Sequence, residues 1–179
     1  MIELNDEKHL VLREDAVNTY DDCSRWWSSE TFESTTSPSL STGGIYLLMD
    51  SEETIYYVGI AEGIRVFHED SETSDLIGYR AADHQESADE QTRARFTTTD
   101  RILVVEAPDD IQDHFSMARK QFLQALEGHL IRKLNTKNRE ESHWNQRIED
   151  KNQTLWNQIL TSVQSVELIL NEQATQLSS

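Results

Sequence analysis

Cysteine, proline and glycine are all scarce in this chain of 179 residues, and each scarcity excludes a class of protein. The single cysteine, Cys23, excludes an internal disulfide and a cysteine-based zinc cluster, and it favours a reducing cytoplasm. Two prolines and six glycines exclude collagen-like and proline-rich linker architectures. No apolar run approaches the roughly 20 residues of a membrane span, and residues 1–7 lack the basic and apolar regions of a signal peptide. We therefore expect a cytoplasmic protein without a membrane partner.

Basic residues are also few, since 16 Lys and Arg face 33 Asp and Glu for a net charge of −17. Such a polyanion repels phosphate, which argues against a nucleic-acid partner. Eleven of the basic residues are Arg and five are Lys, a composition that resembles halophilic proteins. In molar salt the Debye length falls to about 3 Å, so long-range repulsion is nearly erased. The charge is also uneven, because residues 119–147 hold seven basic and three acidic side chains.

The hydrophobic pattern predicts a small α+β domain, because a strand hairpin and one further strand alternate with helices. Strands are expected at 44–49, 54–58 and 101–106, and helices at 13–27, 76–87, 109–134 and 144–170. The polar stretches 28–43, 60–74 and 135–141 are expected to be loops or irregular, and the tail from Glu172 is expected to fray. The resulting boundaries are an N-terminal extension over 1–42, a core over 43–140, and a C-terminal helix with its tail over 141–179.

Two tripeptides mark the predicted hairpin. Gly44-Ile45-Tyr46 opens its first strand and Tyr57-Val58-Gly59 closes its second, with the two tyrosines eleven residues apart. This pair resembles the namesake motif of the GIY-YIG nuclease superfamily. The resemblance implies a three-stranded, mainly antiparallel sheet flanked by helices, and it implies hydrolysis of DNA phosphodiester bonds.

The family places an Arg, often followed four residues later by a His, in the helix after the second tripeptide. Arg80 and His84 match that pair, and residues four apart share one helix face. Arg80 follows Tyr57 by 23 residues, and an insertion of this length is similar to the restriction-endonuclease branch of the superfamily. Arg65, with His68 close by, is the rival assignment for the catalytic Arg.

A Glu in a later helix is the family's metal ligand, and Glu127 matches it. Glu127 lies close to the apolar stripe of the predicted helix over 109–134, and a carboxylate there is seldom left unpaired. The family's Asn follows, and Asn138 is the nearest match, with Asn135 and Asn145 as competitors. One carboxylate suffices for Mg²⁺ or a similar cation such as Mn²⁺, because Mg²⁺ keeps several waters and also binds substrate phosphate.

The resemblance also implies roles for these side chains. Arg80 would offset negative charge on the pentavalent phosphate, and Tyr46 or Tyr57 would take a proton from the attacking water. A Tyr has a pKa near 10 and is a poor base unless a neighbouring charge favours the phenolate. His84 would relay that proton or orient Tyr46. The remaining basic residues expected to contact DNA are Arg65, Lys133, Lys137 and Arg139.

Two further readings remain open at this stage. The last predicted helix either packs on the core or makes a homodimer, which would suit an enzyme that cuts both strands. Alternatively, the net charge of −17 suits a non-catalytic acidic binding protein, either a DNA mimic or a degenerate nuclease fold.

Overall fold

The structure is a computed structural model that describes residues 1–19, 38–68, 71–83, 90, 97–136, 143–170 and 173–177. Its ten described strands are β1 (Ile2–Leu4), β2 (His9–Arg13), β3 (Ala16–Thr19), β4 (Gly44–Asp50), β5 (Ile55–Ala61), β6 (Ile64–His68), β7 (Ser71–Asp75), β8 (Thr99–Glu106), β9 (Ser165–Leu170) and β10 (Gln173–Leu177). Its described α-helices are α1 (Ile77–Asp83), α2 (Arg119–Leu134) and α3 (His143–Leu160), and 3₁₀ turns occur at Pro38–Ser41 and Ile111–Phe115. The mixed α+β class is therefore confirmed.

The strands form two four-stranded sheets and a separate hairpin. The central sheet has the order β3-β8-β4-β5, and all of its pairings are antiparallel. The terminal sheet has the order β1-β2-β9-β10, in which β2 and β9 run parallel. Strands β6 and β7 pair only with each other in the described part of the chain. The predicted hairpin of β4 and β5 and the predicted third strand, β8, are confirmed within the central sheet. The expected number of three strands is wrong, because β3 pairs with β8 as a fourth strand.

The predicted helix over 13–27 is wrong in its first part. Arg13 ends β2, and Ala16–Thr19 forms β3, whose register pairs Val17 with Leu103 of β8. Strand pairing with a distant segment outweighs the weak local helical preference here. Residues 20–27 lie outside the described part of the chain.

The predicted helix over 144–170 is wrong in its second part. Helix α3 ends at Leu160, and Ser165–Leu170 forms β9. Val166 and Leu168 are both buried, and they lie opposite Leu10 and Leu12 of β2. This burial repeats every second residue, as in a strand. Within the tail from Glu172, which is expected to fray, residues 173–177 form β10 against β9.

Two other expectations need correction. Residues 60–74, expected to be irregular, contain the end of β5 and most of the β6–β7 hairpin. The expected helix over 109–134 is interrupted after the 3₁₀ turn at Ile111–Phe115, because Ser116 adopts a left-handed φ of 53°. Helix α2 then starts at Arg119.

The central sheet is covered on both faces. Ile45, Leu47 and Val58 belong to the larger core, which α2, α3 and the terminal sheet complete. The opposite face carries a smaller core that includes Tyr46, Leu48, Ile77 and Ala81, with Leu40 of the first 3₁₀ turn. The edge strand β5 therefore has α2 packed on it from one core and α1 from the other. Among the described residues, no helix is both long and apolar enough to span a bilayer.

Candidate nuclease-like site at the edge of the central sheet

The two motif tyrosines lie on the same face of the central sheet. Tyr46 is directly opposite Gly59 of β5, and Tyr57 is opposite Leu48. The rings of Tyr46 and Tyr57 stack at an interplanar angle of 25°, with 6.2 Å between their centroids. Tyr46 is only 2% exposed, whereas Tyr57 is partly exposed. The pair therefore has an inner and an outer member.

Gly59 makes room for the inner ring. A Cβ atom at Gly59 would lie 2.2 Å from Cζ of Tyr46 and 2.4 Å from its hydroxyl oxygen. These are severe overlaps, so no larger residue fits unless Tyr46 moves. The Gly of the second tripeptide and the Tyr of the first are thus two halves of one packing arrangement.

A side-chain hydrogen bond joins Tyr46 and Tyr57 and affects the pKa of both. Burial raises the pKa of Tyr46 well above 10, and the hydrogen bond with Tyr57 raises it further. Burial also raises the pKa of Tyr57, but there the hydrogen bond with Tyr46 acts in the lowering direction. Donating a hydrogen bond stabilises the protonated donor, and accepting one stabilises a phenolate. The hydrogen bond therefore couples the ionisation of the two tyrosines.

Arg80 brings positive charge to this pair from α1. Its guanidinium is half exposed, and Nε lies 3.1 Å from Oδ1 of Asp75. Burial raises the pKa of both tyrosines and of Glu127, and the charge of Arg80 acts against that rise at all three. Arg80 is thus the electrostatic partner that these three acidic groups share.

Glu127 reaches the site from α2. Its side chain is partly buried, and burial raises its pKa from 4.5 to about 7, with Arg80 offsetting part of that rise. Its negative charge raises the pKa of both Tyr57 and Tyr46. Tyr46, Tyr57, Arg80 and Glu127 therefore lie within electrostatic range of one another along β5.

Arg119 anchors the helix that carries Glu127. At the start of α2 its guanidinium donates three hydrogen bonds of 2.6–2.8 Å to main-chain carbonyls. One acceptor is Glu62, just after β5, and the others are Ala107 and Pro108, just after β8. The side chain is only 15% exposed. These bonds fix the first turn of α2 to the ends of two strands.

The other expected site residues divide into three groups. His84, Lys137, Asn138 and Arg139 lie outside the described residues. Arg65, His68 and Asn145 are described only in their backbone, in β6 and α3. Lys133 is exposed on α2, and Asn135 ends that helix in a left-handed conformation with a φ of 50°. Asn135 therefore has a structural role as the C-cap.

Asp75 and Arg119 support the site, and neither belongs to the motif residues. Asp75 binds Arg80, and Arg119 binds main-chain carbonyls from two other segments. Neither contact has a sequence signature, because both partners depend on the tertiary arrangement.

Glu127 is the side chain of this candidate site that could hold a divalent cation. The described residues contain no group of three or more His, Cys, Asp and Glu side chains that could enclose a metal ion. Glu127 alone offers a carboxylate whose ionised form is disfavoured by burial and only partly compensated by Arg80. A cation such as Mg²⁺, which needs few protein ligands and keeps its waters, would compensate the negative charge of ionised Glu127.

Comparisons with protein-family models, with curated proteins and with solved structures found no match to this chain.

Proposed function

We propose that this chain is a metal-dependent DNA endonuclease with a GIY-YIG-type site. The observation that carries the proposal is the juxtaposition of Tyr46, Tyr57, Arg80 and Glu127. These residues come from two strands and two helices, yet the charge of Arg80 lowers the pKa of Tyr46, Tyr57 and Glu127 alike, against the effect of burial. Strongly perturbed titratable groups that meet at one place are typical of catalytic sites.

Tyr57 is the better placed of the two tyrosines to accept a proton from water. It is the partly exposed ring, and it is hydrogen-bonded to Tyr46. That hydrogen bond and the charge of Arg80 both favour the Tyr57 phenolate, against burial and the charge of Glu127. Tyr46, in turn, stacks against the outer ring from the buried side.

Arg80 would bind the phosphate, and Glu127 would bind the metal ion. The half-exposed guanidinium of Arg80 presents fixed donors that match phosphate oxygens and offset charge that develops in the transition state. Glu127 would hold Mg²⁺ or Mn²⁺, which when bound polarises the phosphate and stabilises the leaving oxygen. Restriction or defence is the role that the insertion between β5 and α1 favours, with repair and mobile-element activity as the alternatives.

The test is plasmid cleavage with Mg²⁺ over a series from low to molar salt. Salt matters because a chain of net charge −17 repels DNA at low ionic strength. We expect Glu127→Gln to reduce the cleavage rate by at least about 100-fold, while Glu52→Gln in the exposed turn after β4 leaves it unchanged. Undiminished cutting by Glu127→Gln would refute the metal site, and no cutting by the wild type at any salt would refute the nuclease.

The net charge favours a second candidate, an acidic protein that binds without catalysis. A chain of −17 can present carboxylates in place of DNA phosphates to a basic protein. This candidate expects no DNA cleavage at any salt, together with salt-sensitive binding to a basic DNA-binding protein. It leaves the shared electrostatic effect of Arg80 on two tyrosines and Glu127 without a role.

A further inference from the structure

Asp75 stands between the β6–β7 hairpin and the candidate site. It is the last residue of β7, and it makes three contacts. Its carbonyl oxygen accepts the amide of Gly63 at 2.8 Å, and its Oδ2 accepts the amide of Glu62 at 2.8 Å. Its Oδ1 lies 3.1 Å from Nε of Arg80. One residue thus closes the base of the hairpin and binds the guanidinium.

The backbone at the base of the β6–β7 hairpin is conformationally restricted where these contacts form. Gly63 adopts a φ of +82°, which side-chain-bearing residues rarely adopt, and the backbone of Gly43 packs against it. Asp75 lies opposite Ile64 in the register of the hairpin. The Asp75 carboxylate also accepts a hydrogen bond from the Glu62 amide. Its position is therefore restrained independently of its contact with Arg80. An ordinary surface ion pair lacks this second restraint.

The contact also selects which end of the guanidinium is used. Arg has five N–H donors in one plane, and Asp75 engages the Nε side. The planar group can turn about its stem, so fixing Nε restricts the direction of the two terminal amino groups. Those amino groups form the fork that recognises phosphate.

We propose that Asp75 is a positioning residue that orients Arg80 and ties that orientation to the β6–β7 hairpin. This inference rests on the nuclease function proposed above. Binding energy is useful in catalysis only if the group that stabilises the transition state is already aligned. A displacement of the hairpin base would move the Asp75 carboxylate and misalign the fork of Arg80.

The test uses Asp75→Asn in the full chain. Asn keeps an oxygen for the Glu62 amide and removes the charge that faces Arg80. The matched control is Asp100→Asn, because Oδ2 of Asp100 makes a similar exposed contact of 3.3 Å with Nε of Arg101. We expect Asp75→Asn to lower kcat for plasmid cleavage by about 10-fold, with KM changed less than about twofold, and Asp100→Asn to change neither.

Two readouts separate positioning from general damage. The Nε–H resonance of Arg80, assigned by its loss in Arg80→Lys, should shift in Asp75→Asn and stay in place in Asp100→Asn. In an Arg80→Lys background, Asp75→Asn should lower the single-turnover cleavage rate by less than about twofold. The reason is that the effects of two substitutions are not additive when one residue acts through the other.

Three outcomes would contradict the positioning role of Asp75. Wild-type kcat in Asp75→Asn would overturn the positioning role and leave the nuclease proposal intact. An equal loss of rate in the wild-type and Arg80→Lys backgrounds would also overturn it, because Asp75 would then act on the fold and not on Arg80. A wild-type protein that cuts no DNA would overturn both proposals together.

Discussion

Replacing Glu127 by Gln should stabilise the metal-free protein at alkaline pH while removing its proposed activity. Burial raises the pKa of Glu127 from 4.5 to about 7, and Arg80 offsets only part of the effect. A difference of one pKa unit is worth about 1.4 kcal/mol. Ionised Glu127 therefore costs the folded state up to about 3 kcal/mol above pH 7. Gln has nearly the same size and carries no charge, so it avoids that cost.

The pH dependence follows from the direction of the shift. Between pH 4.5 and 7 the folded protein holds a proton on Glu127 that the unfolded chain has released. Stability from this group is therefore fully present below the unfolded pKa and is lost as pH rises through the folded pKa. We expect Glu127→Gln and wild type to have similar unfolding free energies near pH 4.5, and the variant to be more stable at pH 8.

The assay is urea unfolding at both pH values with EDTA and about 1 M KCl, which screens exposed charges and leaves buried ones. Adding Mg²⁺ at pH 8 should stabilise the wild type, because a ligand that binds only the folded state raises its stability. The same addition should leave Glu127→Gln unchanged. A variant that is less stable than wild type at pH 8, or a difference that does not change with pH, would refute this account of Glu127.

Three further changes test the framework of the site. Gly59→Ala should lower stability by about 1–3 kcal/mol in urea unfolding and abolish cleavage, because its Cβ would overlap Tyr46; wild-type cleavage would contradict this. Arg119→Met should lower the free energy of unfolding by about 2–4 kcal/mol, because three charge-assisted hydrogen bonds are lost. Lys120→Met, which removes only the ion pair of an exposed Lys, should lower it by less than about 1 kcal/mol. Burial lowers the pKa of His129 to about 3, so the wild type should lose stability as pH falls from 6.5 to 3, and His129→Phe should flatten that profile.

The central sheet could be predicted from the sequence because its signals are local. The apolar run at 44–49 and the β-branched and aromatic run at 54–58 each fit a short buried strand. The last 16 residues of the predicted helix over 109–134 form α2, where apolar residues recur every three or four positions. The motif tyrosines lie in those strands and Glu127 in that helix, and Arg80 lies in α1, within the predicted helix over 76–87. Local signals therefore placed all four residues in elements of the correct type.

The terminal sheet could not be predicted in the same way. Val163, Val166 and Leu170 are spaced three and four apart, which fits a helical stripe as well as a strand. What decides between them is β2, which lies more than 150 residues earlier and pairs with β9 in parallel. A parallel pairing between the two ends of a chain leaves no turn signal, because no short connection joins the strands.

Contacts between segments distant in sequence also explain why the supporting residues of the site could not be predicted. Asp75 and Arg119 both bind main-chain groups near Glu62, one through its carboxylate and the other through its guanidinium. Every residue except proline carries an amide N–H and every residue carries a carbonyl, so a main-chain partner leaves no trace in residue identity. A sequence motif can therefore name the side chains that would meet a substrate, whereas the residues that hold them in place emerge only once the chain is folded. For this protein, variants of Asp75 and Arg119 accordingly test the candidate site independently of the motif that first indicated it.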